Sequence, residues 1–136
     1  MRVFLDANVL FSASNHPAEK PSNIARLINL LLQRGEAVTS DFALEEARRN
    51  ITLKRPGWID QFNALHEEIR IIPSVCFDLP VTLGEKDRPI LCAAIRAGCE
   101  YLVTGDRRDF GHLYNHDVEG VTIIDLTTLA ELLTGS

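Results

Sequence analysis

The chain opens with the stretch Arg2-Val3-Phe4-Leu5-Asp6-Ala7-Asn8-Val9, which is mostly β-branched and aliphatic, with Asp6 and Asn8 as polar residues near its end. A short apolar run of this kind is typical of a parallel strand that is buried on both faces. The pattern therefore predicts a strand over residues 2–9, with Asp6 marking its polar edge. Because burying a carboxylate in so apolar a run is costly unless the charge has a partner, Asp6 is a candidate functional residue.

Three further acidic segments lie where an apolar run meets a turn or a helix start. They are Leu44-Glu45-Glu46-Ala47, Gly84-Glu85-Lys86-Asp87, and Leu102-Val103-Thr104-Gly105-Asp106 with Asp109 just beyond. In an open parallel α/β sheet, functional groups collect outside the carboxyl ends of the strands, so acids from distant parts of the chain can converge. Carboxylates a few ångströms apart repel each other, and a bound divalent cation keeps them ionised. The four segments together favour metal-assisted chemistry.

The rest of the chain alternates between helix and strand signals. Ser22 and Ser40 are candidate N-caps, the first for a helix that stops at Gly35 and the second for a helix that carries Glu46. Asp87 leads into a further helix that tolerates a proline in its first turn. The remaining predicted elements are a loop over 75–85, a helix over 58–68, a short C-terminal helix, and strands over 37–39, 69–72, 101–104 and 121–124. This alternation predicts one α/β domain over residues 1–136, with a parallel sheet covered on both faces.

The composition limits the classes of function. The 136 residues carry a net charge of −5, which argues against general electrostatic adhesion to nucleic acid but allows a polyanion held through metal and a local basic patch. Cys76, Cys92 and Cys99 are odd in number and lack paired C-x-x-C spacing, which disfavours disulfides and a zinc knuckle and favours a reducing compartment. No apolar run approaches the length of a membrane span and no signal-like leader precedes the first strand, so we expect a cytoplasmic protein with no membrane partner.

Three stretches of the chain resemble the PIN-domain ribonucleases, a family that includes the toxins of the VapBC toxin–antitoxin pairs. They are Phe4-Leu5-Asp6-Ala7-Asn8-Val9-Leu10, Asp87-Arg88-Pro89-Ile90-Leu91-Cys92-Ala93-Ala94, and Tyr101-Leu102-Val103-Thr104-Gly105-Asp106-Arg107-Arg108-Asp109-Phe110. Their order is typical of this family, and they span nearly the whole chain. The resemblance implies a three-layer α/β/α sandwich around a central, mainly parallel sheet. It also implies a Mg²⁺- or Mn²⁺-dependent ribonuclease that hydrolyses phosphodiester bonds in RNA.

The same resemblance implies roles for individual residues. The implied catalytic residues are Asp6, Glu46, Asp87 and Asp106, and Glu45 remains the alternative to Glu46. One or two metal ions would be bound by the carboxylate oxygens that hard divalent ions prefer, at Asp6, Asp87, Asp106 and Asp109. Hydrogen bonds that orient the carboxylates would come from Asn8, Ser40 and Thr104. RNA contacts would come from Arg88, Arg107 and Arg108. The implied partners are an RNA substrate, an antitoxin protein and a second copy of the chain in a homodimer.

Several of these residues also have an ordinary interpretation. Asp87 is typical of a helix N-cap, and Asp106 is typical of a tight turn beside glycine. Arg48 is as typical of a solvated helix face as of an RNA contact. Trp58 and Phe62 have the spacing of a core-facing stripe, although such a stripe can also anchor a partner helix.

Two other families with an acidic Mg²⁺ pocket are less consistent with the sequence. Haloacid-dehalogenase-like phosphatases need a second Asp two residues after the first, and Asn8 occupies that position without being able to act as an acid. Receiver domains need a lysine near the last strand, whereas Lys86 is the final lysine of this chain. A catalytically silent PIN-fold module that binds RNA or protein is the third alternative, and the full set of acids argues against it.

Overall fold

The computed structural model describes residues 1–15 and 22–135, and in this part of the chain six strands are combined with seven helices. The strands are β1 Arg2–Leu5, β2 Glu36–Ser40, β3 Arg70–Ile72, β4 Tyr101–Val103, β5 Asp117–Val118 and β6 Val121–Ile124. The helices are α1 Ala7–Ala13, α2 Asn23–Arg34, α3 Asp41–Lys54, α4 Ile59–Glu68, α5 Arg88–Arg96, α6 Arg107–Phe110 and α7 Leu126–Thr134. Single 3-10 turns lie at Pro56–Trp58 and Gly111–Leu113.

The six described strands form one sheet in the order β3-β2-β1-β4-β6-β5. The first five strands in this order, β3-β2-β1-β4-β6, are parallel to one another, and β5 pairs antiparallel with β6. The chain lays β1, β2 and β3 outward in one direction and then returns to place β4 on the other side of β1. The strand order therefore reverses between β1 and β4, which is where an open α/β sheet forms a crevice for ligands.

Both faces of the sheet are buried. Val3, Phe4 and Leu5 follow one another in β1, and each is fully buried. Because successive side chains of a strand point to opposite sides, this burial requires cover on both faces of the sheet. Leu102 and Val103 in β4 are fully buried in the same way. The predicted α/β/α sandwich with a central, mainly parallel sheet is confirmed.

The helix-start signals of the sequence act as expected. Ser22 Oγ accepts a hydrogen bond from Ala25 N at 3.1 Å and caps α2, and Ser40 Oγ accepts one from Ala43 N at 3.1 Å and caps α3. Pro89 lies in the first turn of α5. These positions match the sequence prediction. The N–H groups in the first turn of a helix have no partner within the helix, so a serine cap can satisfy one of them, and a proline there costs no helical hydrogen bond.

The predicted strand over residues 2–9 is wrong beyond Leu5. Asp6 has an extended backbone, and its Oδ1 accepts a hydrogen bond from Ala7 N at 2.7 Å, so that it caps α1. The remainder of the stretch, including Asn8, is therefore helical. Aspartate starts a helix well because its carboxylate satisfies an amide of the first turn. Strand β5 and the short helix α6 were likewise not predicted.

Two further observations concern the cysteines and the length of the helices. Cys76, Cys92 and Cys99 are free thiols, of which the first is exposed and the other two are buried. Within residues 1–15 and 22–135, no helix is both long enough and apolar enough to cross a membrane.

Candidate active site

The candidate site lies at the carboxyl ends of β1 and β4, where the strand order reverses. Leu5 at the end of β1 pairs with Val103 at the end of β4, and the N–H of Asp6 donates to the carbonyl of Val103 at 3.1 Å. This pairing brings Asp6 against Thr104, although the two residues are 98 positions apart in sequence. The polar residues that follow the two strands therefore meet at one edge of the sheet.

Three hydrogen bonds hold the carboxylate of Asp6. Its Oδ1 accepts from Ala7 N at 2.7 Å, and its Oδ2 accepts from the Thr104 hydroxyl at 2.8 Å and from Asn8 Nδ2 at 3.3 Å. Asn8 is itself fixed, because its Oδ1 accepts from Gly105 N at 2.8 Å. Asn8 and Thr104 thus have the contacts of the carboxylate-orienting residues that the sequence predicts.

Burial raises the pKa of Asp6 from 3.8 to about 6. The side chain is only 5% exposed, and desolvation of its charged form is the main cause. The hydrogen bonds from Thr104 and Ala7 lower the pKa, whereas the negative charges of Glu46 and Asp106 raise it. The charged form of Asp6 is therefore destabilised in the protein, and a nearby cation would stabilise it.

Asp87, Asp106 and Asp109 form a second group of acids that adjoins Asp6. One carboxylate oxygen of each lies within 4.8 Å of the others. Asp87 is buried, and its burial, followed by the negative charge of Asp109 and a hydrogen bond with it, holds the pKa of Asp87 well above its usual range. The charges of Asp6 and Asp106 act in the same direction. The acids of the two groups therefore interact electrostatically as one cluster.

The sequence suggested a helix cap for Asp87 and a tight turn for Asp106, whereas in the structure the capping side chain is that of Asp106. Asp106 Oδ1 accepts a hydrogen bond from Asp109 N at 3.0 Å and caps α6. Asp87 precedes α5 with a helical backbone, at φ −92° and ψ −25°, and its side chain makes no capping hydrogen bond. Capping therefore does not offset the burial of Asp87, and its carboxylate interacts with the other acids instead.

The acids line a cleft of about 260 Å³. Its wall is formed by Asp6, Ala7, Asn8, Phe11, Glu46, Asn50, Lys54, Lys86, Asp87 and Asp106. Glu46 faces this cleft from α3, whereas Glu45 is 64% exposed and lies 3.8 Å from Arg48 in an ion pair. Helix geometry forces this difference, since consecutive side chains point about 100° apart. Of the two candidate acids on α3, Glu46 is the one in the cleft.

The hydroxyl of Ser40 lies at the start of α3 and not in the lining of the cleft. Its hydrogen bond with Ala43 N caps the helix that carries Glu46. Ser40 was predicted to orient a carboxylate, and the contact that the structure gives it is instead with the backbone. Ser40 is connected to the site through the start of α3, the helix that carries Glu46.

The three arginines predicted to contact RNA also lie outside the lining. Arg88 pairs with Asp78 at 4.0 Å, and Arg107 pairs with Asp125 at 3.9 Å. Arg108 is exposed. All three follow acids of the cluster directly in the chain or lie one position further on, so their RNA contacts stay a prediction for the rim of the cleft.

Phe11, Asn50 and Lys86 are among the residues of the lining that had no predicted role. Asn50 lies four positions after Glu46 on α3, and this helical spacing is a signal by which the sequence could have identified it. Phe11 shares α1 with Asn8, a relation that is hidden as long as residues 2–9 are read as a strand. Lys86 has no signal beyond its place next to Asp87.

The donor set of the cluster fits a hard divalent cation. Mg²⁺ and Mn²⁺ take oxygen ligands, and the cluster offers carboxylate oxygens from Asp6, Asp87, Asp106 and Asp109. The raised pKa values of Asp6 and Asp87 are consistent with this, because acids that repel one another gain most from a bound positive charge.

The role of Thr104 can be tested by Thr104→Val, which removes the hydroxyl that donates to Asp6 and keeps the shape of the side chain. Because this hydrogen bond stabilises the charged carboxylate, we expect the pKa of Asp6 to rise above about 6. An NMR titration of the side-chain carboxyl carbons in EDTA measures it. Thr39→Val is the matched control, since Thr39 is equally buried but donates to Leu5 O at 2.9 Å. A pKa that moves equally in both variants, or in neither, contradicts the assignment.

Comparison with known proteins identifies relatives of the fold and of the sequence. A chain of VapBC2 from Rickettsia felis, crystallised bound to a DNA fragment from its promoter, aligns with a TM-score of 0.64 and 16% identity over 92% of this chain and 98% of its own. PAE2754 from Pyrobaculum aerophilum aligns with a TM-score of 0.53 and 16% identity over 100% of this chain and 91% of its own. At such identity these two likenesses concern the fold alone.

Sequence comparison gives a more specific result. None of the curated proteins matches the chain. The family model of the PIN domain matches residues 2–108, a range that includes the cleft acids Asp6, Glu46, Asp87 and Asp106. The chain belongs to the PIN domain family.

Proposed function

We propose that this PIN-domain protein is a metal-dependent endoribonuclease that hydrolyses phosphodiester bonds in RNA. The observation that carries the proposal is the convergence of acids from four separate segments of the chain in one cleft. These acids are Asp6, Glu46, Asp87 and Asp106, with Asp109 adjoining them. Membership of the PIN domain family supports the proposal, because the matched residues 2–108 include Asp6, Glu46, Asp87 and Asp106.

The proposed chemistry divides the acids into metal ligands and a base. Mg²⁺ or Mn²⁺ would be held by Asp6, Asp87, Asp106 and Asp109. When bound, the ion would supply the positive charge that activates water near neutral pH and polarises the phosphate. Glu46 would accept the proton of the attacking water from its place on the wall of the cleft. Thr104 and Asn8 keep the carboxylate of Asp6 in one orientation through hydrogen bonds at 2.8 and 3.3 Å.

The competing functions are less consistent with the same contacts. A phosphatase of the haloacid-dehalogenase type needs an acid at position 8, and Asn8 uses both ends of its amide to connect Asp6 with Gly105. A silent PIN-fold module that binds RNA or protein is the alternative that cleavage assays separate from the proposed enzyme.

Glu46→Gln and Glu45→Gln form a matched pair, because the two acids are adjacent in sequence and only Glu46 lines the cleft. We expect Glu46→Gln to lower the rate of Mg²⁺-dependent cleavage of a mixed RNA pool by about 100-fold, the usual contribution of a proton acceptor. We expect Glu45→Gln to leave the rate unchanged. Gel assays with Mg²⁺, Mn²⁺ or EDTA measure these rates.

Three outcomes contradict the proposed enzyme or the role of Glu46 in it. The first is cleavage that persists in EDTA, the second is an equal loss in both glutamate variants, and the third is the absence of cleavage by the wild-type protein with either metal. The third outcome favours the silent binding module.

Stability should respond to pH and to metal through Asp6. Since its pKa is 3.8 when unfolded and about 6 when folded, the folded protein binds the extra proton, and stability is lost as the pH rises through this window. The loss amounts to about 3 kcal/mol at most. We expect the unfolding free energy of the wild type in EDTA, relative to that of Asp6→Asn, to fall between pH 4 and pH 7.

Saturating Mg²⁺ should reverse this loss for the wild type, by roughly 3 kcal/mol at a hundredfold excess over its dissociation constant. Urea unfolding at several pH values measures both effects. Asp60→Asn is the control, because Asp60 lies on α4 and is exposed. A metal effect of the same size in Asp6→Asn and in the wild type argues against the site.

We further propose that the ribonuclease is the toxin of a toxin–antitoxin pair and that an antitoxin holds it silent. Two likenesses support this: the resemblance of the sequence to the VapBC toxins and the shared fold with a chain of VapBC2, which was crystallised on promoter DNA. The homodimer that the resemblance implies stays a prediction of the same kind.

Induced expression of the wild-type chain should arrest growth, because cleavage of cellular RNA stops protein synthesis. Expression of Asp106→Asn to the same level should not, and co-expression of a small neighbouring gene should restore growth of the wild type. Growth curves together with immunoblots of both chains measure this. Normal growth with abundant, RNA-cleaving wild-type protein contradicts the toxin and leaves the ribonuclease intact.

A further inference from the structure

Two aromatic rings are not used by the proposed chemistry, one lining the cleft of the acids and the other packed against the first. Phe11 lines the cleft from α1, and Trp58 packs against it with ring centroids 5.1 Å apart and 52° between the planes. Both side chains are half-buried, whereas Phe4, Phe62 and Phe110 are fully buried in the core. We call Phe11 and Trp58 the aromatic wall. Of the predicted core-facing stripe, Phe62 lies in the core, and Trp58 packs against the core as well as against Phe11.

Positive charges flank the aromatic wall. Lys54 lines the same cleft and is exposed, and the guanidinium of Arg55 lies 5.6 Å from the ring centroid of Trp58. Lys86 lines the cleft next to the acid cluster. Because the chain as a whole carries a net charge of −5, these cations form a local patch and not part of a generally basic surface.

Helix α3 connects the acids with this patch. Glu46, Asn50 and Lys54 follow one another at four-residue spacing and all line the cleft. At 1.5 Å per residue, the backbone distance from the first to the third is about 12 Å. Phe11 lines the same cleft, so an RNA strand whose phosphate lies at the acids has its neighbouring nucleotides within reach of Phe11 and Lys54.

Combined aromatic and cationic groups are suited to unpaired nucleotides. Every base has an aromatic face that can stack on a ring, and a lysine can contact the backbone phosphate without regard to sequence. In a duplex the bases are already stacked on one another inside the helix, so only a single strand or a loop can offer a free face.

We propose that Phe11 stacks on one unpaired base next to the scissile phosphate, with Trp58 supporting Phe11 and Lys54 contacting the backbone. This assignment rests on the proposed ribonuclease function and adds to it a residue that contacts the base beside the scissile phosphate. Phe11 is then a specificity-determining residue, because it distinguishes a free base from a base held in a duplex.

The test measures binding separately from cleavage. Fluorescein-labelled oligoadenylate and oligouridylate are titrated with the protein in Ca²⁺, which takes carboxylate ligands as Mg²⁺ does, and the anisotropy gives the dissociation constants. The same oligomers are made with abasic ribose phosphates. Wild-type protein should bind the abasic oligomer roughly 5- to 150-fold more weakly, which corresponds to the loss of one stacked base.

Phe11→Leu should bind the normal oligomer as weakly as the wild type binds the abasic one, with no further loss for the abasic oligomer. Lys54→Gln should weaken binding of both oligomers by the same factor, because it removes a phosphate contact only. Phe42→Leu is the control, since Phe42 is 37% exposed and does not line the cleft, and its binding should equal that of the wild type. A duplex of the same length should bind as weakly as the abasic oligomer.

Trp58 is the only tryptophan of the chain, so its emission gives a second reading of the same event. Emission should change on addition of the normal oligomer and stay constant with the abasic one. Equal affinity of the wild type for normal and abasic oligomers overturns the proposal, and so does a similar penalty for the abasic oligomer in wild type and Phe11→Leu. Stacking without any cleavage in Mg²⁺ would refute the ribonuclease function but not the base-stacking site. Cleavage in Mg²⁺ without stacking would refute the base-stacking site but not the ribonuclease function.

Discussion

The negative charge of Asp6, buried at the end of β1, is the constraint on which the rest of the site depends. With 5% of its surface exposed, this carboxylate has little access to water, and the protein supplies three hydrogen-bond donors. One comes from the helix that Asp6 itself begins, one from Asn8 and one from Thr104 beyond β4. These hydrogen bonds do not return the pKa of Asp6 to its ordinary value. A bound cation would offset the remaining free-energy cost of burying the charge.

Structural and functional roles coincide in some of the acids and separate in others. Asp6 and Asp106 each cap a helix through one oxygen, so an ordinary helix start accounts for part of their placement. The N-terminus of a helix carries partial positive charge, which makes it a favourable place for a carboxylate. Asp87 lacks a capping contact and is nevertheless buried among like charges. Stability alone does not account for its burial, which makes Asp87 a strong indicator of function.

The sequence was informative where one local rule decides the outcome. Ser22 and Ser40 begin helices, and the ends of β1 and β4 meet, because caps and parallel topology leave few alternatives. The sequence was misleading after Leu5, where the apolar residues continue into α1. So short an apolar run does not show whether its periodicity is that of a strand or of a helix. Phe11 was missed for that reason. Ser40 shows a different limit, since a buried hydroxyl can cap a helix or orient an acid, and only the fold decides which.

The distance in sequence between Asp6 and Thr104 has a consequence for the synthesis of the protein. Asp6 leaves the ribosome 98 residues before the hydroxyl that orients it, and contacts of such long sequence separation form late. A growing chain that has not yet completed β4 has Asp6 but lacks Thr104, Asp106 and Asp109. The carboxylates therefore cannot assemble on a nascent chain until most of it has been made. A site built in this way cannot form on the ribosome before the segment through Asp109 has been translated.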